Sequence, residues 1–324
     1  MTLAAVTTAA PAIDAGQFSL SSRALLVSLT IKQWSAKRHD KDASRRIATD
    51  AHATEAPDKI GRYSKLLVPP EAIKSYTEAA GRMRSEHYRL TLPWGEDSVR
   101  ILGIGALEQY QDSMRRCRED VEKATEEFLA AYPALVAGAP ARLGELYRAE
   151  DYPPAELLRR KFGLELSSFP VPDPQHLRDV RRGMSDEQVQ RLMAEVEASV
   201  NGRTADAMRS VWDRVYQAVQ HMSERLGGYG KDADGKTTGI FRDSVVGNLR
   251  ELVEILPLLN VTGDSQLQIM SDRIAQSLCV EEAATLREKP KALESVKADA
   301  DSILRDMAAF IGPGALLLGA NKAA

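Results

Sequence analysis

The sequence has little of the chemistry that marks secreted, metal-binding or membrane-spanning proteins. Its 324 residues include only two cysteines, Cys117 and Cys279, and neither belongs to a CxxC pair. Isolated thiols indicate a reducing compartment and argue against a disulfide scaffold or a cysteine-rich zinc site. The longest apolar runs, around 25–29 and 315–318, are far shorter than the ~20 residues of a membrane-spanning helix. With no basic start to a secretory signal either, we expect a cytoplasmic chain with no membrane partner.

Neither sign of charge dominates the chain. There are 43 Lys and Arg residues against 46 Asp and Glu residues, which gives a formal net charge of -3. No global field therefore draws the protein onto nucleic acid or anionic lipid. Hydrophobic residues make up 44% and charged residues 27%, close to the average for folded proteins. We expect a substantial core and no extensive disorder.

The common catalytic and metal-binding motifs are also missing. The five histidines show neither HxxxH nor HxH spacing, so no local metal clamp is predicted. There is no GxSxG elbow and no typical setting for a nucleophilic cysteine. We predict no catalytic residue, no metal and no cofactor, and the sequence favours a protein that is not an enzyme.

One nucleotide-binding motif matches by its letters. Residues 230–237 read GKDADGKT, which fits the GxxxxGK[ST] pattern in which Lys236 would reach the terminal phosphates and Thr237 would bind magnesium. A P-loop follows a buried strand, whereas this stretch follows a long helical pattern. We interpret 227–240 as a flexible loop between helices. A nucleotide-binding enzyme remains a remote alternative, with the residues Gly230, Gly235, Lys236 and Thr237.

Two long helices are the clearest pattern in the sequence. The first covers 104–135, where apolar residues recur at alternating spacings of three and four. Pro133 is expected to kink this helix or to start a new one. The second covers 185–226 and opens with Ser185 as an N-cap, followed by acidic residues in the first turn. At 1.5 Å per residue the two rods would measure almost 50 Å and roughly 60 Å.

Such rods bury their apolar stripes most economically against each other. This predicts an antiparallel helical hairpin, with the alternative that each rod packs independently into a compact bundle. Strands are predicted at 26–34, 63–68 and 98–102 and helices at 40–54 and 71–88. Three more helices are predicted at 241–259, 267–278 and 293–310.

We therefore predict a mainly α fold with a long antiparallel helical hairpin or bundle and a small antiparallel β element from the N-terminal half. In chain order, the expected organisation is a disordered tail (1–18), a mixed α/β region (19–103), the hairpin (104–226) with a proline-rich head (138–184) that holds a strand at 164–169, a flexible loop (227–240), C-terminal helices (241–311) and a second tail (312–324).

A local excess of positive charge surrounds Trp34. The cluster is opposed only by Asp40 and Asp42, and it consists of Lys32, Lys37, Arg38, Lys41, Arg45 and Arg46. Cations beside an aromatic ring can follow a phosphate backbone and stack a base, which suggests a nucleic-acid-binding accessory protein. The alternative, which we favour, is a solvated face whose cations pair with nearby carboxylates, with Trp34 as a packing residue.

Several segments together resemble a family of phage and proteobacterial proteins known only as a domain of unknown function. They are SLSSRALLVSLTIKQWSAKRHDKDASRRIA (19–48), GRYSKLLV (61–68), LTLPWGEDSVRIL (90–102), YPALV (132–136), AEDYP (149–153) and FRDSVVGNLRELVEILPLLNVTGD (241–264). The resemblance spans most of 19–280. It implies a phage or prophage protein, some members being encoded near MoxR-type AAA+ ATPases. No catalytic residue is carried over from the family.

The expected function is that of an interaction or adaptor protein, which uses long amphipathic helices to bind a protein partner, such as an AAA+ ATPase, or a second copy of itself. Apolar stripes left uncovered by folding would be the docking surface. The candidate docking residues are Leu107, Tyr110, Met114, Val121, Phe128, Phe241, Val245, Leu249 and Leu252.

Overall fold

The computed structural model describes residues 19–95, 98–178, 183–231 and 237–311, and this part of the chain is mostly helical. The predicted tails at 1–18 and 312–324 lie outside the described residues. The helices are α1 (Lys41–Asp50), α2 (Pro57–Ile60), α3 (Lys74–Arg89), α4 (Leu107–Leu143), α5 (Ala155–Arg159), α6 (Asp186–Gly227), α7 (Asp243–Leu259), α8 (Ser265–Leu278), α9 (Ala283–Glu288) and α10 (Pro290–Ile311). The strands are β1 (Ala24–Lys32), β2 (Lys37–His39), β3 (Ser64–Leu66), β4 (Leu92–Pro93), β5 (Val99–Gly103), β6 (Gly163–Pro170), β7 (Gly230–Lys231) and β8 (Thr237–Thr238). The predicted class, mainly α with minor antiparallel β structure, is confirmed.

The strands form small sheets. A four-stranded sheet has the order β4-β5-β1-β6, and β4 pairs antiparallel with β5 so that Leu92 faces Ile101. A separate ribbon is made by β2 and β3, which are also antiparallel. Strand β1 lies two residues earlier at both ends than the predicted 26–34, and its first residue, Ala24, is buried. Strand β6 matches the strand predicted at 164–169.

The chain divides into two compact units. One contains the described parts of Met1–Val27, Leu90–Leu107 and Ser168–Ala324, and the other contains Ser28–Arg89 and Glu108–Ser167. We call them unit 1 and unit 2. Helices α6, α7, α8, α9 and α10 belong to unit 1, whereas α1, α2, α3, α5 and nearly all of α4 belong to unit 2.

Helix α6 organises unit 1. Ser185 caps it by accepting a hydrogen bond from the backbone N–H of Gln188, and the Gln188 side chain accepts one from the Ser185 backbone in return. This reciprocal capping satisfies two N–H groups that the first turn would otherwise leave unpaired. The helix runs for 42 residues and packs against α10 and α7. Its apolar stripe, from Val211 through Met222, is completely buried.

Helix α4 organises unit 2 and corrects one expectation. It runs for 37 residues and continues through Pro133 and Pro140, where a kink or a new helix was predicted. A proline inside a helix removes a hydrogen bond and crowds the preceding turn. Here Leu129 and Tyr132 are buried just before Pro133, and Ala139 is buried beyond it. Packing on both sides of the proline therefore outweighs the lost hydrogen bond.

The predicted pairing of the two long helices is not confirmed. Helix α6 packs on α10 and α7 within unit 1, and α4 from Glu108 onward belongs to unit 2. The extent of α6 and the apolar stripe of each helix were predicted correctly, whereas α4 continues eight residues beyond its predicted end. The elements that cover those stripes were not predicted, because local spacing carries no information about which distant segment supplies the complementary surface.

Candidate interaction surface

The hydrophobic positions predicted as docking residues lie in the core. On α4, the side chains of Tyr110, Met114, Val121 and Phe128 are all buried. On and just before α7, the same holds for Phe241, Val245 and Leu249, while Leu107 and Leu252 are half-buried. The chain therefore covers most of these apolar stripes itself, so their burial does not favour docking, and the role of these residues in docking stays a prediction.

The predicted nucleic-acid-binding residues are largely occupied by contacts within unit 2. Trp34 is buried, and its ring packs against Phe128 and Tyr132, with ring centroids 6.1 Å and 5.9 Å away. It therefore offers no platform on which a base could stack.

Three of the cluster's arginines pair with carboxylates. Arg38 Nε lies 3.2 Å from Asp151, Arg45 lies 3.3 Å from Asp42, and Arg46 lies 3.5 Å from Glu145. The remaining cluster members, Lys32, Lys37 and Lys41, are exposed lysines. Half of the six cations are thus paired around a packed tryptophan, which agrees with the favoured interpretation of a solvated face for the arginines.

The described ends of the loop at 227–240 form a β-hairpin. Gly230 pairs with Thr238 and Lys231 with Thr237 in antiparallel register. Gly235 and Lys236 lie outside the described residues. A P-loop places its Thr at the start of a helix, whereas Thr237 lies in β8 and the next helix begins at Asp243. The arrangement of the described residues does not support a nucleotide site.

A buried lysine that the sequence analysis did not single out holds this part of unit 2 together. The side chain of Lys65 is 3% exposed, and its Nζ lies 3.0 Å from Asp40 Oδ2 and 2.8 Å from Asp151 Oδ2. Nζ also donates a hydrogen bond of 2.6 Å to the carbonyl oxygen of Leu146. We call Lys65, Asp40 and Asp151 the buried ion cluster. It connects β3, the start of α1 and the segment after α4.

The charge state of Lys65 makes the cluster structural. Desolvation lowers the pKa of Lys65, but hydrogen bonds and charges from Asp151 and Asp40 outweigh it, so the pKa lies above its usual value. The amine is therefore protonated at neutral pH and cannot act as a nucleophile or a base. Burial also raises the pKa of the Cys117 and Cys279 thiols, which opposes thiolate formation.

Asp40 connects three elements through its backbone and side chain. Its carboxylate accepts a hydrogen bond of 2.9 Å from the backbone N–H of Ala43 and so caps α1. Its own backbone N–H donates to the Tyr63 carbonyl, and Ser44 Oγ accepts from the Tyr63 backbone N–H. Strand β2, helix α1 and the approach to β3 are thus fixed to one another.

This fixed assembly carries an unusual group of exposed apolar side chains. Ile47 on α1 is 53% exposed, Ile60 at the end of α2 is 52% exposed, and Tyr63 and Leu66 are each 37% exposed. Helix α1 packs against α2, and Ser44, one turn before Ile47, binds Tyr63. We call these four residues, together with the exposed cations Lys37, Lys41, Lys59 and Arg62, the α1–β3 surface.

Comparison with known proteins and the described side chains point to no other site. The chain matches no family model, no curated protein and no solved structure. Within the described ranges, no group of three or more His, Cys, Asp and Glu side chains could hold a metal ion. None of the described helices is long and apolar enough to cross a membrane.

The buried ion cluster predicts a specific pH dependence. The backbone N–H of Ala43 lowers the pKa of Asp40, assisted by Lys65. A lowered carboxyl pKa contributes stability above its unfolded value of about 3.9, and that stability is lost as the pH falls through the folded pKa. We expect Asp40→Asn, which retains a capping side chain, to cost about 1.5–3 kcal/mol at pH 7. Urea unfolding of both proteins between pH 7 and acid should show the difference in their free energies of unfolding shrinking below about pH 4. If the difference stays constant with pH, the charge of Asp40 has no stabilising role.

Proposed function

We propose that this chain is a phage- or prophage-encoded adaptor that acts by binding a protein partner, through the α1–β3 surface and not through its long helices. The observation that carries the proposal is the exposure of Ile47, Ile60, Tyr63 and Leu66 within one short stretch of chain. Exposed apolar groups on a fixed framework are typical of protein-binding surfaces, because their burial on association is favourable.

The framework favours binding in a second way. The buried ion cluster and the hydrogen bonds of Asp40 and Ser44 hold the surface in one arrangement before any partner arrives. A preorganised surface loses less conformational freedom on association, so more of the contact energy appears as affinity. Since Lys65 is protonated and fully occupied, the same region supports binding and not proton transfer.

Nucleic-acid binding through the cluster around Trp34 is the weaker proposal. Trp34 is buried, and the arginines, whose planar side chains suit phosphate best, are paired with carboxylates. The exposed lysines that remain would attract a phosphate backbone only through a salt-sensitive electrostatic term.

Photo-crosslinking in the native host cell tests the adaptor proposal. A photoreactive amino acid would be placed singly at Ile47, at Tyr88 on α3 or at Ile269 on α8, all of which are more than half exposed. We expect protein adducts that resist nuclease and are lost on protease treatment. The resemblance to a family encoded near MoxR-type AAA+ ATPases makes such an ATPase the first product to seek. Adducts that disappear with nuclease, or no adduct at any of the positions, would overturn the proposal.

A further inference from the structure

We infer that the α1–β3 surface binds an acidic amphipathic segment of a partner protein. This inference rests on the adaptor function proposed above and adds the chemistry of the partner. It follows from two features of the surface: which side chains face outward and how its cations are paired.

The alternation of the β2–β3 ribbon separates its two faces. Lys65 points inward to Asp40 and Asp151, so its neighbours Ser64 and Leu66 project to the opposite side, where both are exposed. The same alternation puts Tyr63, two residues before Lys65, on the side of Lys65. Leu66 lies directly opposite Lys37 in the antiparallel register, so the two side chains share the outer face. An apolar side chain and a cation thus sit side by side at the edge of the surface.

The same combination recurs on the helical part. Ile60 is followed by Arg62 and Tyr63 and preceded by Lys59, and all four side chains are exposed. Ile47 projects from α1 and is exposed, whereas Lys41, six residues earlier, lies on a different face of that helix and Asp50 follows Ile47 by one turn. A partner that covers the isoleucines would also bring its own flanking groups close to these cations.

The cations of the α1–β3 surface have no carboxylate partner among the described residues. Ion pairs occupy Arg38, Arg45 and Arg46, whereas Lys37, Lys41, Lys59 and Arg62 form none within the described ranges. Residues 37–66 contain eight Lys and Arg against five Asp and Glu. Glu145 and Asp151, from outside this stretch, pair with Arg46, Arg38 and Lys65, which leaves the four cations of the surface against Asp50, Glu55 and Asp58. The four unpaired cations beside the apolar side chains would speed encounter with an acidic partner and disfavour a basic one.

Amphipathic protein suits the surface better than nucleic acid does. A phosphate backbone would satisfy the lysines and a base could stack on Tyr63. It would still leave Ile47, Ile60 and Leu66 in contact with water, since aliphatic side chains neither stack on bases nor bind phosphate. An acidic helix with an apolar stripe satisfies both kinds of group at once, because its anchors recur every three or four residues and carboxylates flank them.

Binding of designed peptides to the full chain tests the inference. The probe is a fluorescent helical peptide about four turns long, with leucines along one face and glutamates elsewhere. One control peptide replaces the glutamates with lysines, and another replaces the leucines with serines. We expect measurable binding of the acidic amphipathic peptide alone. A single-stranded DNA, a duplex DNA and vesicles of anionic lipid are measured in the same buffer.

Variants of the full chain locate the binding. The pair Ile47→Asn with Ile60→Asn, and separately the pair Lys59→Glu with Arg62→Glu, should each weaken the acidic peptide about tenfold or more, as expected of central contacts. The matched control is Ile269→Asn on α8, which is 59% exposed and lies in unit 1. It should leave the affinity unchanged. Since every altered side chain is exposed, thermal melts should show intact folding.

The outcomes separate this inference from the adaptor function. The inference of an acidic partner is overturned if the acidic peptide does not bind, or if the lysine peptide binds equally well. It is also overturned if DNA or vesicles bind more tightly and the variants weaken that binding. Protein adducts at Ile47 in the host cell would still support the proposed adaptor function in that case, whereas adducts only at Tyr88 or Ile269 would assign binding to another surface. The partner residue that is crosslinked to position 47 gives a second readout, since mass spectrometry can locate it in the partner's sequence. We expect it to lie in an acidic, amphipathic stretch. A basic stretch would contradict the inference.

Discussion

Replacing Lys65 with methionine is expected to lower the free energy of unfolding by about 3–5 kcal/mol, the cost of breaking a buried ion pair. The substitution keeps much of the side-chain volume but removes the charge that lies 3.0 Å from Asp40 and 2.8 Å from Asp151. Both carboxylates are then left with about a tenth of their side-chain surface exposed and without their shared cation. Asp151 keeps its ion pair with Arg38 and Asp40 keeps the backbone N–H of Ala43, but both lose the buried cation between them. Loss of one partner from a buried ion cluster is among the few single-site defects that cost this much.

Two further variants show whether charge or packing is responsible. Adding Asp40→Asn and Asp151→Asn to Lys65→Met removes the two carboxylate charges that Lys65 had neutralised. The triple variant should recover more than half of the lost free energy of unfolding, because neutral groups are less costly to bury. Urea unfolding followed by circular dichroism measures the totals, and hydrogen exchange in α1 and β3 should show the loss first in that part of unit 2. A cost below about 1 kcal/mol for Lys65→Met, or no recovery in the triple variant, would mean that the cluster does not anchor the α1–β3 surface.

The long helices were predictable from the sequence because their signal is local and repeated. In α6, an N-cap, acidic residues in the first turn and an apolar residue at every third or fourth position all indicate the same element. The start of α4 was predictable in the same way. Its end was not, because the helix propensity of proline predicts an interruption at Pro133, and only tertiary burial of Tyr132 and Ala139 explains the continuous helix.

Short elements were predictable only where alternation was strong. Strand β1 has a clear period of two, whereas β2 is the polar sequence Lys37–His39 and exists because β3 pairs with it across an intervening pair of helices. Strand β4, with two residues, and helix α9, with six, carry too few positions to form a pattern.

The candidate surface could not be predicted because exposure is a property of the fold. Ile47 is a single apolar residue in a polar helix, and the sequence alone does not say whether a neighbour covers it. The opposite holds for Phe128 and Leu249, whose regular spacing suggested a free stripe although the chain buries both. The cluster around Trp34 was recognised as basic, but its partners Glu145 and Asp151 lie about a hundred residues away in the sequence.

Phe128→Ala is expected to lower the free energy of unfolding by about 3–5 kcal/mol. Measuring this loss distinguishes a core role of the apolar stripe on α4 from a docking role. The ring of Phe128 is buried in unit 2, with its centroid 6.1 Å from that of Trp34 and 5.7 Å from that of Phe162. Deletion of the ring leaves a cavity in the hydrophobic cluster that also contains Trp34 and Tyr132. It also removes tilted contacts with those two rings and an edge-to-face contact with Phe162.

The matched control is Glu127→Ala, one residue earlier on the same helix, which is exposed and should change stability by less than about 0.5 kcal/mol. Thermal and urea unfolding measure both variants, and the acidic peptide is titrated onto each below its melting temperature. If α4 serves the core, Phe128→Ala melts early yet binds the peptide with unchanged affinity while it is folded, because the α1–β3 surface is intact. If instead Phe128→Ala melts like the parent chain but loses host-cell adducts, the stripe is a docking surface, and the assignment of binding to Ile47 and Ile60 is wrong.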